Sequence, residues 1–217
     1  MLIELTEEEV EAVTPVAPTW SQYIQYVGGS QSFGRRLATG LVVCVSLLLV
    51  SRLFNEVSFL GFLLFLVGIV APLYPVLWAP LFTLSRQNLA FREVPYSWLF
   101  FGQVKDVFSE TVVVEELEKF NEDGDLYVEE VREDRLTLEV GDETGLRFTI
   151  ETTDEPRYQA LVPRQSVLAM VKSYSRKLRQ PVLSEVYVVK LGEWVGDVSY
   201  LKRDDYLALA DDLLEMQ

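Results

Sequence analysis

The sequence predicts a membrane α-helical hairpin joined to a cytoplasmic α+β domain that is antiparallel and β-rich, with a late helix and a C-terminal helix. Three observations carry that prediction. Between Leu37 and Ser85 the only charged residues are Arg52 and Glu56. From about Tyr96 onward, continuous apolar runs give way to short alternating segments bounded by turn residues. Residues 96–217 supply 122 positions, enough for one independent core. The chain then divides into an acidic amino-terminal arm with an interfacial helix (1–32), a two-helix transmembrane hairpin (33–85), a linker (86–95) and a soluble acidic α+β domain (96–217).

The arm opens with Glu7, Glu8, Glu9 and Glu11. Thr6 followed by Glu9 fits a capping box, so a short helix is expected from Glu7 to Ala12, stopped by Pro15 and Pro18. Thr19 can cap a second helix in which Trp20, Tyr23, Ile24 and Val27 share one aromatic, apolar face, with Gly28 and Gly29 ending it. Such a helix lies in the headgroup layer or grips a membrane partner, or it is simply an aromatic connector.

The first apolar run, Leu37 to Ser51, has 15 uncharged residues. At 1.5 Å per residue it covers about 22 Å of a hydrocarbon core roughly 30 Å thick. Extension to Phe33 and Phe54 closes the gap if Arg35, Arg36 and Arg52 raise their charges to the headgroups. The second run, Val57 to Ser85, has 29 uncharged residues but contains Pro72, Pro75 and Pro80. A spanning helix from Val57 to Leu73 is expected, followed by a kinked interfacial segment carrying Trp78 and ending near Arg86. An acidic segment precedes the first run, which argues against a cleaved signal peptide. Arg35, Arg36, Arg86, Arg92 and Lys105 flank the hairpin, whereas the connecting loop offers Arg52 opposed by Glu56. Both termini are therefore expected to face the cytoplasm, or the stroma in a plastid.

The chain has no histidine and one cysteine, Cys44, which falls inside the first apolar run and reads as a small packing residue. That composition excludes an intrachain disulfide and imidazole-based ligation or catalysis. No catalytic or metal-binding residues and no cofactor are predicted, although the hairpin is compatible with pigment or lipid contact.

In the soluble domain, Leu99–Phe108, Thr111–Leu117, Leu126–Val131, Leu136–Val140 and Leu146–Ile150 read as strands, with turns at Asp123–Asp125 and Gly141–Gly145. Pro163 starts a predicted helix through Leu178, with Val167, Leu168 and Val171 on one face. A strand from Glu185 to Leu191 follows, and a final helix from Asp204 has Leu207, Leu213 and Leu214 inward. The run Asn121, Asp123, Asp125 and Glu130 has the composition of a calcium loop. Gly124 is misplaced for an EF-hand, however, so a hairpin turn is the better reading. Lys172, Arg176, Lys177 and Arg179 would form a basic helix face, either solvated or turned to anionic headgroups or an acidic partner.

From Asp106 to Gln217 there are 26 acidic and 13 basic residues. Nucleic acid is an unsuitable ligand for such a surface. A basic protein patch is suitable, with Glu115, Glu116, Glu118, Glu129, Glu130, Glu133 and Asp134 as candidate docking residues. The competing reading is acidity that only keeps the domain soluble.

The hairpin, the β-rich tail beginning near Phe101, Gly102 and Val104, and the late run Gly192, Glu193, Trp194, Val195, Gly196 and Asp197 resemble uncharacterised two-pass membrane proteins of cyanobacteria and chloroplasts. The resemblance covers the last two thirds of the chain. It implies a thylakoid or plasma-membrane setting and an auxiliary role near photosynthetic complexes, and it brings no catalytic residues with it. Three functions follow as expectations. The first is a non-enzymatic accessory or assembly protein of a larger integral membrane complex, with Ala38, Gly40, Gly61 and Gly68 permitting close helix contact. The others are a component of a transporter, and a membrane-tethered enzyme using Asp197 or Glu193.

Overall fold

The computed structural model describes residues 1–27, 30–54, 58–120 and 126–215. The predicted stop at Gly28 and Gly29, the charge of Glu56, and the loop Asn121 to Asp125 lie outside the described residues. Two compact units emerge: Met1–Val13 with Val94–Gln217, and Thr14–Glu93.

The first unit is an α+β domain built on a seven-stranded antiparallel sheet. Its strands are β1 (Leu2–Glu4), β2 (Tyr96–Phe120), β3 (Leu126–Gly141), β4 (Arg147–Thr153), β5 (Ser166–Ser173), β6 (Val182–Val188) and β7 (Glu193–Val195). They lie in the order β4-β3-β2-β5-β6-β7, and β1 pairs with β2. Inward side chains from six of these strands, among them Phe100, Leu138, Phe148, Val167, Val186 and Val195, form one buried core with Tyr158 and Leu161. The sheet curls until its two ends are tied together. Asp197, just after β7, accepts bonds from the Thr153 amide (2.9 Å) and Thr152 Oγ1 (2.7 Å) on β4, and from Arg135 Nη1 (2.7 Å) on β3.

Residues 1–13, assigned from sequence to a separate arm, belong to this unit. Leu2–Glu4 pair with Phe100–Trp98, and the helix α1 (Glu7–Val13) is closed by the expected capping box, Thr6 N to Glu9 Oε2 at 2.7 Å and Glu9 N to Thr6 Oγ1 at 3.3 Å. Val13 O accepts from Lys202 N at 2.7 Å, which docks the end of α1 where the last helix begins.

The predicted helix from Pro163 to Leu178 is replaced by β5. Ser166–Ser173 is a central strand flanked by β2 and β6, and it is buried on both faces from Val167 onward. A strand without a solvated face loses its alternation and reads as an undifferentiated apolar run. Leu178 and Gln180 adopt left-handed backbone angles (φ 52° and 51°), which also ends any helical reading there. The final helix forms as expected (Arg203–Glu215). Tyr206 and Ala210 are its buried residues, and Leu207, Leu213 and Leu214 are only half-buried.

In the second unit, α2 (Trp20–Val27), α3 (Ser30–Ser51), α4 (Phe59–Val70) and α5 (Ala79–Arg92) are helices, and a single π-helical turn occupies Tyr74–Trp78. Among the described residues one helix, Phe33–Ser51, is by itself long and apolar enough to cross a membrane. The continuous second span expected from Val57 to Leu73 is not found among the described residues. α4 has 12 residues, about 18 Å, and meets the Tyr74–Arg92 segment at a 49° bend. The bend falls where Pro72 and Pro75 deprive the helix of amide donors. A Cβ on Gly40 would sit 3.0 Å from Pro72 Cα, and one on Gly68 would sit 3.3 Å from Leu47 and Leu48. These two glycines therefore serve packing within the unit rather than waiting for a partner, while Ala38 is exposed.

Candidate functional site

The register of β2 and β3 creates the most distinctive surface of the sheet unit. Their pairing runs from Gln103↔Gly141 to Phe120↔Leu126, whereas β4 joins β3 only from Arg135 and β5 leaves β2 at Gln103. Beyond Glu110 and Arg135 the two strands continue as a two-stranded arm. The alternation in the sequence predicts a break in each of them, after Phe108 and after Val131. No turn exists at either place; a β-bulge between Val113 and Glu115 absorbs one extra residue instead.

The structure brings all seven predicted acidic docking residues onto this arm. Glu118, Glu130, Glu133 and Asp134 are exposed there. Glu115, Glu116 and Glu129 lie on its strands, with side chains outside the described ones. Arg132 pairs with Glu130 at 2.8 Å, and Thr111 donates to Asp134 at 2.6 Å. Between Glu110 and Arg135 the sequence has eleven acidic and three basic residues, so this arm accounts for most of the chain's net charge of −14. Exposed Val113, Val114, Leu126, Tyr127 and Val128 are interspersed with the acids on both of its strands.

The predicted basic helix face does not exist. Lys172 lies on β5 and is fully buried, so it cannot meet a headgroup. Arg176, Lys177 and Arg179 follow in the turn after β5, where Arg176 lies over the Tyr96 ring (5.4 Å) and 3.5 Å from Glu4.

The predicted membrane-interface residues fall into two groups. Trp20 and Trp78 are 73% and 68% exposed, and Arg35, Arg52 and Arg86 are exposed as well. Arg36 stacks over Tyr26 at 4.7 Å, and Arg86 lies over Phe82 at 5.8 Å. Tyr23 stacks on Trp20 at 5.6 Å, but its hydroxyl is committed, donating to Val76 O at 2.8 Å. In α-helical counting the donor to that carbonyl is the amide of residue 80, which is proline and has none. Gln22 completes the docking of α2. It closes a capping box with Thr19 (2.8 Å and 3.3 Å) and exchanges two hydrogen bonds with Asn88 on α5 (2.7 Å and 3.2 Å). Both amides are buried. Sequence reasoning misses this pair because a glutamine opposite an aromatic stripe reads as solvated; its spacing of three from Thr19 is the available signal.

Two buried carboxylates in the sheet unit are structural. Burial would raise Asp142, but hydrogen bonds from Thr144, the Met1 ammonium and the Leu146 amide outweigh it and hold the group at about 2. Glu185 is pushed upward by burial even though Ser199 Oγ and the amides of Tyr200 and Leu201 donate to it. It fixes the loop that enters the final helix. Asp197 and Glu193, the carboxylates considered for acid/base work, are engaged with β3 and β4 and with Arg157 respectively. Among the described residues no group of three or more His, Cys, Asp or Glu side chains is placed to hold a metal ion.

In the helical unit an apolar cleft of about 630 Å³ opens between α3 and α4, lined by Thr39, Val43, Leu47, Leu66, Val70 and Tyr74 among others. A smaller cavity of about 390 Å³ in the sheet unit lies beside Asp142, Lys105 and Phe101.

No curated protein and no solved structure matches this chain. Over residues 3–215 it matches the model of a family of unknown function, DUF8619, and it belongs to that family.

Proposed function

We propose that the protein is a non-catalytic accessory or assembly subunit of a larger integral membrane complex, held in the bilayer by its helical unit and docking through the acidic arm. The observation that carries this reading is the inverted packing of residues 14–93. Leu41, Val42, Leu49, Phe59, Phe62 and Ile69 are exposed, whereas Gly40, Gly61, Gly68, Gln22 and Asn88 are buried. Such a surface is unsuited to water and suited to lipid or to another membrane protein. In this reading α3 is one span and the bent pair of α4 with Tyr74–Arg92 forms the return, which makes a two-helix hairpin. Trp20, Trp78 and the flanking arginines then lie at the headgroups, with both termini on the cytoplasmic or stromal side. The photosynthetic setting rests on the resemblance alone.

The test is to solubilise native membranes carrying the tagged full chain in mild detergent, then resolve the product by native electrophoresis and mass spectrometry. Comigration with a stoichiometric membrane complex is expected. Extraction of the chain by alkaline carbonate, or its migration as a free monomer, would reject the proposal.

A further inference from the structure

We infer that the β2–β3 arm is a template for strand addition and that its partner is a basic, extended segment of another protein. This deepens the docking reading above and rests on it.

The argument starts from the sheet's edges. A row of unpaired backbone amides and carbonyls is a pairing surface, and sheets normally cover, shorten or close it. Here the main sheet closes through the Asp197 contacts to β3 and β4, and β1 covers Trp98–Phe100 of β2. The arm is treated differently. Among the described residues, no strand pairs with β2 on the side away from β3 from Lys105 to Phe120, nor with β3 on its outer side from Leu126 to Glu133. At about 3.3 Å per residue the β2 edge alone is roughly 50 Å long. A two-stranded ribbon this long has little core of its own and gains from a third strand. Exposed Val113, Val114, Tyr127 and Val128 give such a strand apolar neighbours to bury.

Charge then selects the occupant. With eleven acids and three bases between Glu110 and Arg135, a second copy of the arm would bring like charge against like charge. Anionic headgroups and nucleic acid are repelled for the same reason. A lysine- or arginine-rich extended segment meets both demands, since its backbone completes the ladder while its side chains lie beside exposed Glu110, Glu118, Glu130 and Glu133.

The experiment uses the full chain in phosphatidylcholine nanodiscs. The probe is a fluorescent peptide of alternating lysine and valine, and its control has the same sequence with alternate backbone amides N-methylated, which keeps the charge but removes donors. Binding of the parent peptide is expected, falling about tenfold or more with the methylated control. It should fall by a similar factor for the combined variant Glu110→Gln, Glu118→Gln, Glu130→Gln and Glu133→Gln. Equal binding of the two peptides would mean attraction without strand pairing, and equal binding by the variant would place the contact elsewhere; either result overturns the inference, as does failure of the parent to bind. Purification from native membranes separates the two readings. A partner complex retained by the variant leaves the docking subunit standing and removes the arm from it, whereas a wild-type chain that brings no partner removes the docking reading itself.

Discussion

In the sheet unit the fully buried positions are held mostly by large apolar side chains, Phe100, Leu99 and Leu138 among them with Tyr206, and apart from Lys172, Glu185 and Asp142 the described charges lie at or near the surface. In the helical unit the buried positions include Gly40, Gly61, Gly68, Gln22 and Asn88, while Phe59 is 78% exposed and Leu53 82%. One chain thus contains two answers to the same question of what to hide. Where water is the solvent, hiding apolar surface drives folding. In the membrane reading proposed above, a lipid-facing leucine gains little by turning inward, and beside Leu84 and Phe91 the interior goes to glycines that allow close backbone approach and to polar groups that need partners.

The largest effect should come from the core that follows the aqueous rule. Phe100 is fully buried and meets Phe148 edge to face at 5.0 Å. Phe100→Ala is expected to destabilise the sheet unit by about 3–5 kcal/mol, read as a lower urea midpoint of the purified protein. Phe59→Ala, made at an exposed ring of the helical unit, should change stability in detergent by less than about 1 kcal/mol. Equal costs at the two positions would break the comparison.

A buried charge sharpens it from the polar side. Glu185 is raised by burial above its ordinary value of 4.5. A carboxyl whose folded value lies above its unfolded value binds more protons when folded. Its contribution is therefore present below about 4.5 and is lost as pH rises through the raised value. Stability measured by denaturant midpoint should fall with rising pH over that window, and Glu185→Gln should flatten the slope. The same substitution replaces one acceptor oxygen by an amide, whose hydrogens then face either the Tyr200 amide on the Oε2 side or Ser199 Oγ and the Leu201 amide on the Oε1 side, and should cost about 1–3 kcal/mol. A slope identical to that of the parent would assign the pH dependence to other groups.

How far the sequence can be read follows the same division. Both apolar runs, the two short amino-terminal helices and the final helix are legible because periodicity, capping residues and prolines act locally. α1 begins where Thr6 and Glu9 say it should. The strands of the arm are harder, since a ribbon exposed on both faces carries Glu110, Glu133 and Asp134 within its length and loses the alternation that marks one wet face. β5 fails for the opposite reason, being dry on both faces, and the misread helix places Lys172 on a surface instead of in the interior. The three residues of β1 are too few to show any pattern, so their pairing with Trp98–Phe100 is visible only in the fold. Of the candidate site, the acidic residues are legible as composition, but their gathering on one arm depends on a register that no local signal sets.

The amide pair of the helical unit offers a smaller test. Removing one member, as in Gln22→Leu, leaves the Asn88 amide buried without its partner and should cost about 1–3 kcal/mol in detergent thermal unfolding. The double variant Gln22→Leu with Asn88→Leu should recover the part of that loss that comes from the Asn88 amide, while the part that comes from the Thr19 amide, which gives up Gln22 Oε1 in both variants, should persist. A double variant no better than the single one would mean that the amides do more than satisfy each other.

The smallest effect tests whether Tyr23 substitutes for a missing backbone donor. Its hydroxyl reaches Val76 O at 2.8 Å, and the residue four places on from Val76 is Pro80. Tyr23→Phe should cost about 0.5–1.5 kcal/mol, the net value of one hydrogen bond. The sharper measurement adds Pro80→Ala, which restores an amide at the position from which an α-helix would serve that carbonyl. If the tyrosine stands in for the absent amide, Tyr23→Phe becomes nearly neutral in the Pro80→Ala background, a coupling that a double-mutant cycle measures directly. If the loss persists, the carbonyl is being served through the π-helical turn of Tyr74–Trp78 instead, and the role of Tyr23 is to fasten α2 to that turn rather than to repair it.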